Sequence, residues 1–179
     1  MANLELTNLE LIREFVNTAD LEDRRDDLEH GRGLVRWLAE HRLVNGPTRA
    51  SEQDAEHARA LREALRELLR ANNGVEVDRD QASATLDEAA GRAGLAVRFE
   101  GGAIRFEPTR GGVAGGLALV LAAVGEAMAD GSWPRLKACR SDTCRYAFVD
   151  NARNQSRQWC SMQVCGNREK ARAFRARHA

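Results

Sequence analysis

The sequence predicts a mainly helical, α+β protein in two parts: a larger helical domain with one β-hairpin, then a small module organised by cysteines. Three observations carry this. Apolar residues recur at helical spacing in five stretches before residue 132. One strict alternation, interrupted by Gly101-Gly102, marks a single hairpin. The only four cysteines of the 179-residue chain lie together near its end. The expected domains are residues 1–132 and 135–179.

Taken in order, Thr7-Asn8-Leu9-Glu10 has the form of a capping box, and Leu9, Ile12 and Val16 follow at helical spacing, so a first helix runs to about residue 19. Asn17 and Thr18 are polar at its end and read either as caps for free backbone groups or as ligand-pocket residues. Residues 20–33 are highly charged and close on Gly31 and Gly33; their carboxylates lack EF-hand spacing, which leaves a mobile, solvated loop. Leu34, Trp37, Leu38 and His41 mark a second helix stopped by Asn45-Gly46-Pro47, with His41 expected as a hydrogen-bonded core residue. The third helix, residues 51–71, opens with Ser51-Glu52-Gln53-Asp54 and offers Ala58, Leu61, Leu65, Leu68 and Leu69 to the core. A fourth, over about residues 80–93, ends at Gly94.

Leu95, Val97 and Phe99 then alternate with polar positions, Gly101-Gly102 makes a two-residue turn, and Ile104 and Phe106 resume the alternation. Residues 111–116 are glycine-rich but fit neither G-x-G-x-x-G nor the Walker pattern, so they read as a flexible lead-in to a buried helix over residues 117–129. Gly131-Ser132-Trp133-Pro134 reads as a hinge. On this division the helical domain folds independently, and chelation of the metal spares it.

Cys139 and Cys144 enclose four residues, and so do Cys160 and Cys165. Two short chelate loops joined by residues 145–159 let four thiolates reach tetrahedral positions around one Zn²⁺, each at roughly 2.3 Å. The N-terminus has neither the basic start nor the apolar core of an export signal. A reducing, cytoplasmic location is therefore expected, with metal rather than disulfides. Residues 145–149 read as a strand, residues 150–154 as a turn and residues 156–159 as the return, giving a hairpin between the pairs. Residues 168–178 read as a helix with Asn167 as N-cap. Knuckle, hairpin, knuckle and helix make a small treble-clef-like zinc finger. It holds too few apolar residues to fold alone, so its folding depends on a metal worth roughly 10–16 kcal/mol. Four cysteines fill the tetrahedron, which makes the zinc structural. All four histidines lie outside the cluster and no nucleophile–base motif is present, so no enzyme is expected.

A formal net charge of zero hides a division. From residue 135 onward eleven cations face three carboxylates, a net +8, which leaves −8 for the preceding residues. The basic end is a candidate nucleic-acid surface. Arg168, Arg172 and Arg175 share one stripe of a helix, with Ala171 and Phe174 left to face the hairpin. With Lys170, Arg177 and the loop residues Arg153 and Arg157, they are the expected contacts to double-stranded DNA. The alternative is a zinc-stapled protein-interaction or redox-sensing module, whose arginines bind the acidic body of the same or another chain.

The wording of the finger is more specific than its outline. Phe148-Val149-Asp150, Arg153-Asn154, Ser156-Arg157, Trp159-Cys160-Ser161-Met162 and Cys165-Gly166-Asn167-Arg168 with Lys170 resemble the CGNR-type zinc finger. Proteins with that finger commonly carry an upstream helical ABATE domain, associated with stress-induced transcription regulation. Phe15-Val16-Asn17-Thr18 and residues 34–38 resemble its opening. The resemblance implies a transcription regulator whose helical domain forms a homodimer or receives a small-molecule effector, with Asn17, Thr18, Arg36 and Trp37 as the nominated pocket.

Overall fold

The computed structural model describes residues 7–178. Helix α1 (Asn8–Val16) starts with a capping box: Glu10 N–H donates to Thr7 Oγ1 at 3.3 Å, and Thr7 N–H donates to the Glu10 carboxylate at 3.0 Å. Further on, α3 (Glu52–Asn72) repeats the device with Ser51 and Asp54. Helix α4 (Arg79–Ala93) is capped by Asp78 and ends at Gly94, whose φ of +71° is the left-handed conformation that favours glycine. Strands β3 (Leu95–Glu100) and β4 (Ala103–Pro108) pair antiparallel, Val97 opposite Phe106 and Phe99 opposite Ile104, across the Gly101-Gly102 turn. Their neighbours α2 (Gly31–Glu40) and α5 (Gly112–Ala129) complete the body. In the core α5 is central, packed by α1, α2, α4 and the hairpin.

The glycine-rich stretch is not a flexible lead-in, because α5 begins at Gly112 and runs through it. A Cβ on Gly115 would stand 2.3 Å from the Arg110 carbonyl oxygen, and one on Gly116 would stand 3.0 Å from a Leu38 methyl. Small residues thus let the first turns of α5 touch backbone and α2 directly. By length and composition α5 could cross a membrane, yet most of its residues are buried inside this fold.

Residues 20–33 also depart from expectation. They form a short antiparallel pair, β1 (Ala19–Asp20) with β2 (Arg25–Asp26), and then enter α2 at Gly31. Leu28 is fully buried. The organiser is a row of arginines on α3. Arg59 donates to the Leu28 and Glu29 carbonyls at 2.8 and 2.7 Å, and Arg62 grips Asp26 in two bonds of 2.6 and 2.8 Å. Arg66, 1% exposed, donates to the Val16 and Ala19 carbonyls at 2.5 and 3.2 Å, satisfying acceptors at and just past the end of α1. Charge alternation suggested solvent here, but these residues gain partners that are distant in sequence.

The expected hinge is likewise packed. Trp133 is buried, and a 3₁₀ turn (Trp133–Arg135) leads into β5 (Leu136–Ala138), which lies against α3. Its partner is β6 (Ala147–Val149), in antiparallel register Leu136 to Val149. The strand expected near residues 145–149 therefore exists, but it pairs with chain before Cys139, and residues 156–159 form no return strand. Trp133, Leu136, Ala138 and Ala147 belong to the same apolar cluster as residues of α1, α3 and α5, so the two expected parts share apolar packing across residues 133–147.

Candidate metal centre and nucleic-acid interface

The four cysteine sulfurs lie within 4.8 Å of one another, with Cys144 to Cys160 at 3.5 Å and Cys160 to Cys165 at 3.7 Å. A tetrahedron with zinc–sulfur bonds of about 2.3 Å has sulfur–sulfur edges of roughly 3.8 Å, so the donor set fits one zinc ion. Local chain geometry brings them there. Cys139 N–H continues the β5–β6 ladder to the Tyr146 carbonyl at 2.9 Å, and the N–H groups of Cys144 and Arg145 both turn back to the Ser141 carbonyl at 3.0 Å. In the second knuckle Ser161 Oγ accepts from Val164 N–H at 3.3 Å and heads a π-helical turn (Met162–Gly166) that carries Cys165.

Helix α6 (Asn167–Arg177) continues that turn directly. The cap is therefore Ser161, and Asn167 is not one; its side-chain amide donates to the Gln163 carbonyl at 3.1 Å. A Cβ on Gly166 would meet Met162 Sδ at 2.4 Å and the Trp159 ring at 3.1 Å, so a larger residue there needs the half-exposed Met162 side chain to move aside.

The electrostatics of the cluster call for a cation. Hydrogen bonds from the Cys144 and Cys160 thiols draw the Cys139 pKa well below the thiol range. Proximity to Cys139 raises Cys144 and Cys160, and burial raises Cys165. Four thiols this close together oppose one another's ionisation, and a divalent ion bound between them relieves that conflict. Four soft sulfur donors filling the tetrahedron make it a structural zinc site.

Next to it, Lys137 donates to Asp150 Oδ2 at 2.8 Å and to the Gln155 carbonyl at 2.5 Å. Asp150 in turn accepts from the N–H groups of Ala152 and Arg157 at 3.0 and 2.9 Å. Residues 150–157 are wrapped around this buried pair. In the sequence Lys137 is one of the eleven cations of the basic end and Asp150 a residue of a turn, and nothing local signals that they meet.

Three asparagines of the body hold finger backbone. Asn17 accepts from Ala147 N–H at 2.7 Å and donates to its carbonyl at 2.9 Å, mimicking a neighbouring strand. Asn72 donates to the Trp133 and Leu136 carbonyls at 3.0 and 2.9 Å, and Asn73 to those of Ala138 and Gln158 at 2.8 and 2.9 Å. In the sequence Asn72 and Asn73, followed by Gly74, read only as the end of the third helix. Of the nominated pocket residues, Asn17, Thr18 and Trp37 line a cleft of about 610 Å³ shared with Tyr146, Phe148 and Arg157, but Arg36 is exposed and off it. Thr18 Oγ1 is occupied by the Phe15 carbonyl at 2.7 Å and by Arg62. His41 bridges Glu14 and the Trp37 carbonyl and stacks on Trp37, a hydrogen-bonded core role.

The finger's cations divide into two sets. Arg140 reaches the Asn73 carbonyl at 2.9 Å, and Arg145 faces Glu67 at 3.6 Å. Arg157 is a brace: its guanidinium bonds the Trp159 carbonyl at 2.9 Å and the Cys160 carbonyl, and sits 4.8 Å above the Phe148 ring. Arg153 is exposed, and α6 has no buried residue at all, leaving Lys170, Arg172, Arg175 and Arg177 in solvent. Arg172 pairs with Glu169 at 2.6 Å, and Arg168 reaches across to Glu22 of the β1–β2 turn at 2.5 Å. The spacing predicts that Phe174 faces the hairpin, but it is 57% exposed and stacks on His178, because α6 projects from the π turn with no hairpin beneath it.

Residues 135–178 match the family model of the CGNR zinc finger, and residues 9–131 match that of ABATE, which bears the description "Putative stress-induced transcription regulator". No curated protein matches the chain.

Proposed function

The chain belongs to the ABATE family and carries a CGNR zinc finger, and on that footing we propose that it is a cytoplasmic transcription regulator that binds double-stranded DNA through α6. The observation that carries this reading is the state of that helix: eleven residues, five of them Arg or Lys, none buried, in contact with little beyond the knuckle that launches it. Elsewhere in the finger Lys137, Arg140, Arg145 and Arg157 are held by carbonyls and carboxylates of the body and of the finger itself, so apart from Arg153 the exposed cations are concentrated on α6, where Arg168 and Arg172 form ion pairs with Glu22 and Glu169. Arg168, Arg172 and Arg175 lie on one stripe, able to contact phosphate or guanine edges, with Lys170, Arg177 and Arg153 beside them. Arg157 contributes by bracing the second knuckle. The families are regulatory and zinc-binding, and no reaction is assigned.

Replacing Arg168, Arg172 and Arg175 together with alanine should abolish DNA binding with zinc content unchanged. If about five phosphates are engaged, log K for the intact protein should fall with log salt at a slope near about −4.5. Unchanged affinity in the triple variant would instead favour the interaction-clasp reading.

The same reading gives the body a sensing role. The cleft of about 610 Å³ has Trp37 and Arg13 on one wall and Phe148 and Arg157 on the other, so a small molecule in it would touch body and finger together. A thermal-shift screen repeated with Tyr146→Ala tests this, since a ligand that keeps its full effect in the variant binds elsewhere.

A further inference from the structure

We infer that the β3–β4 hairpin is an arm through which two copies of this chain associate. Burial fades along it from base to tip. At the base, the Phe106 ring lies over Gly125 of α5, so close that a Cβ there would be 2.9 Å from it. Towards the tip, Val97 is 49%, Ile104 58% and Phe99 82% exposed. The register puts these three on the same face as Phe106, because Val97 stands opposite Phe106 and Phe99 opposite Ile104. The other face is polar and matched within itself, with Arg98 to Glu107 at 3.7 Å and Arg105 to Glu100 at 3.3 Å. The charged groups of the arm have partners and its apolar groups do not. A two-stranded ribbon with one wet apolar face is marginal in water, and a contiguous apolar patch marks an association surface.

The occupant is a second copy, on grounds of charge and area. The arm carries Arg98 and Arg105 against Glu100 and Glu107, a net charge of zero within a chain otherwise divided into acidic and basic ends. Two arms meet without repulsion, and no group on the apolar face selects a charged partner. At 82% exposure Phe99 offers roughly 150 Å², and the three side chains together offer on the order of 350 Å² per chain. Pairing then buries on the order of 700 Å², below the roughly 1,200 Å² that bounds weak encounters, so the dimer is reversible and not obligate. A further consequence rests on the DNA-binding reading: two chains on neighbouring half-sites hold their arms at high effective concentration, where a weak contact suffices for cooperativity.

Sedimentation velocity of the zinc-loaded full chain, without DNA, should show a monomer–dimer equilibrium with a dissociation constant on the order of 100 μM. The double variant Phe99→Glu, Ile104→Glu should raise that constant at least tenfold while circular dichroism and zinc content stay unchanged, both side chains being exposed. In the wild type, amide exchange in β3 and β4 should slow as concentration rises through the transition, a readout that needs no variant. A chain that stays monomeric up to about 1 mM, or a dimer whose constant the double variant leaves unchanged, overturns the inference. Because DNA is absent, failure of self-association leaves the DNA-binding reading intact, and failure of DNA binding leaves the arm intact.

Discussion

Lys137 Nζ lies 2.8 Å from Asp150 Oδ2, and the two side chains are only 6% and 0% exposed. A buried ion pair is weak grounds for stability when compared with an apolar replacement, but removing one partner strands the other charge. Asp150→Asn should therefore cost about 3–5 kcal/mol in the stability of the zinc-loaded chain, read from urea denaturation. A loss below about 1 kcal/mol would mean that Lys137 finds enough compensation in the Gln155 and Arg157 carbonyls.

Asp26 contributes to the pH dependence of the body. Burial pushes its carboxyl up, but the bonds from Arg62 and from Leu28 N–H outweigh this and hold its pKa below the ordinary carboxylate range. A carboxyl depressed in the folded state adds stability above its unfolded pKa, about 3.9, and that contribution is lost as pH falls through the folded value. Asp26→Asn should be less stable than wild type by about 1–3 kcal/mol at pH 7, with the gap closing below about pH 4. A gap independent of pH would point to packing and not ionisation.

Removing zinc should not spare the helical body. Leu136, Ala138 and Ala147 of the finger's strands belong to the body's apolar cluster, and Asn17, Asn72 and Asn73 bond finger backbone. Chelation should lower the midpoint of the helical melt, followed by far-UV circular dichroism, and Cys160→Ser should reproduce the shift. An unchanged helical melt after verified zinc loss would establish two independent domains.

Glu22 competes for the proposed DNA helix. Its carboxylate pairs with Arg168 at 2.5 Å, both side chains 42% exposed, and this contact draws one arginine of the stripe towards the acidic turn. Glu22→Gln should tighten DNA binding about two- to fivefold at low salt, with the gain shrinking as salt screens the pair. Equal affinities at every salt concentration would remove Glu22 from the mechanism.

Two helical glycines should respond in opposite directions. A Cβ at Gly33 would stand 2.0 Å from the Asp27 carbonyl oxygen, whereas one at Gly91 meets nothing within 4 Å. Gly33→Ala should destabilise the chain by about 1–3 kcal/mol, and Gly91→Ala should stabilise it by about 0.5–1 kcal/mol, both read from denaturation midpoints. A stabilising Gly33→Ala would show that helix propensity outweighs the close contact at that site.

What the sequence by itself determined are features written in short spacing. The capping boxes at Thr7–Glu10 and Ser51–Asp54, the αL stop at Gly94, the Gly101-Gly102 turn with its alternation and the paired Cys-x4-Cys loops each depend on residues a few positions apart. Their geometry follows from local hydrogen bonding and sterics. The tertiary structure decided which residues meet across the chain. It set β6 beside β5 and not residues 156–159, because Lys137 and Asp150 draw residues 150–157 into a loop. It also turned Arg59, Arg62 and Arg66 inward onto distant carbonyls and a carboxylate, and left α6 clear of the hairpin expected to cover Phe174. A charged side chain looks the same in sequence whether solvent or a buried partner satisfies it. Only the arrival of a partner tens of residues away makes its burial affordable, and no local pattern encodes that arrival.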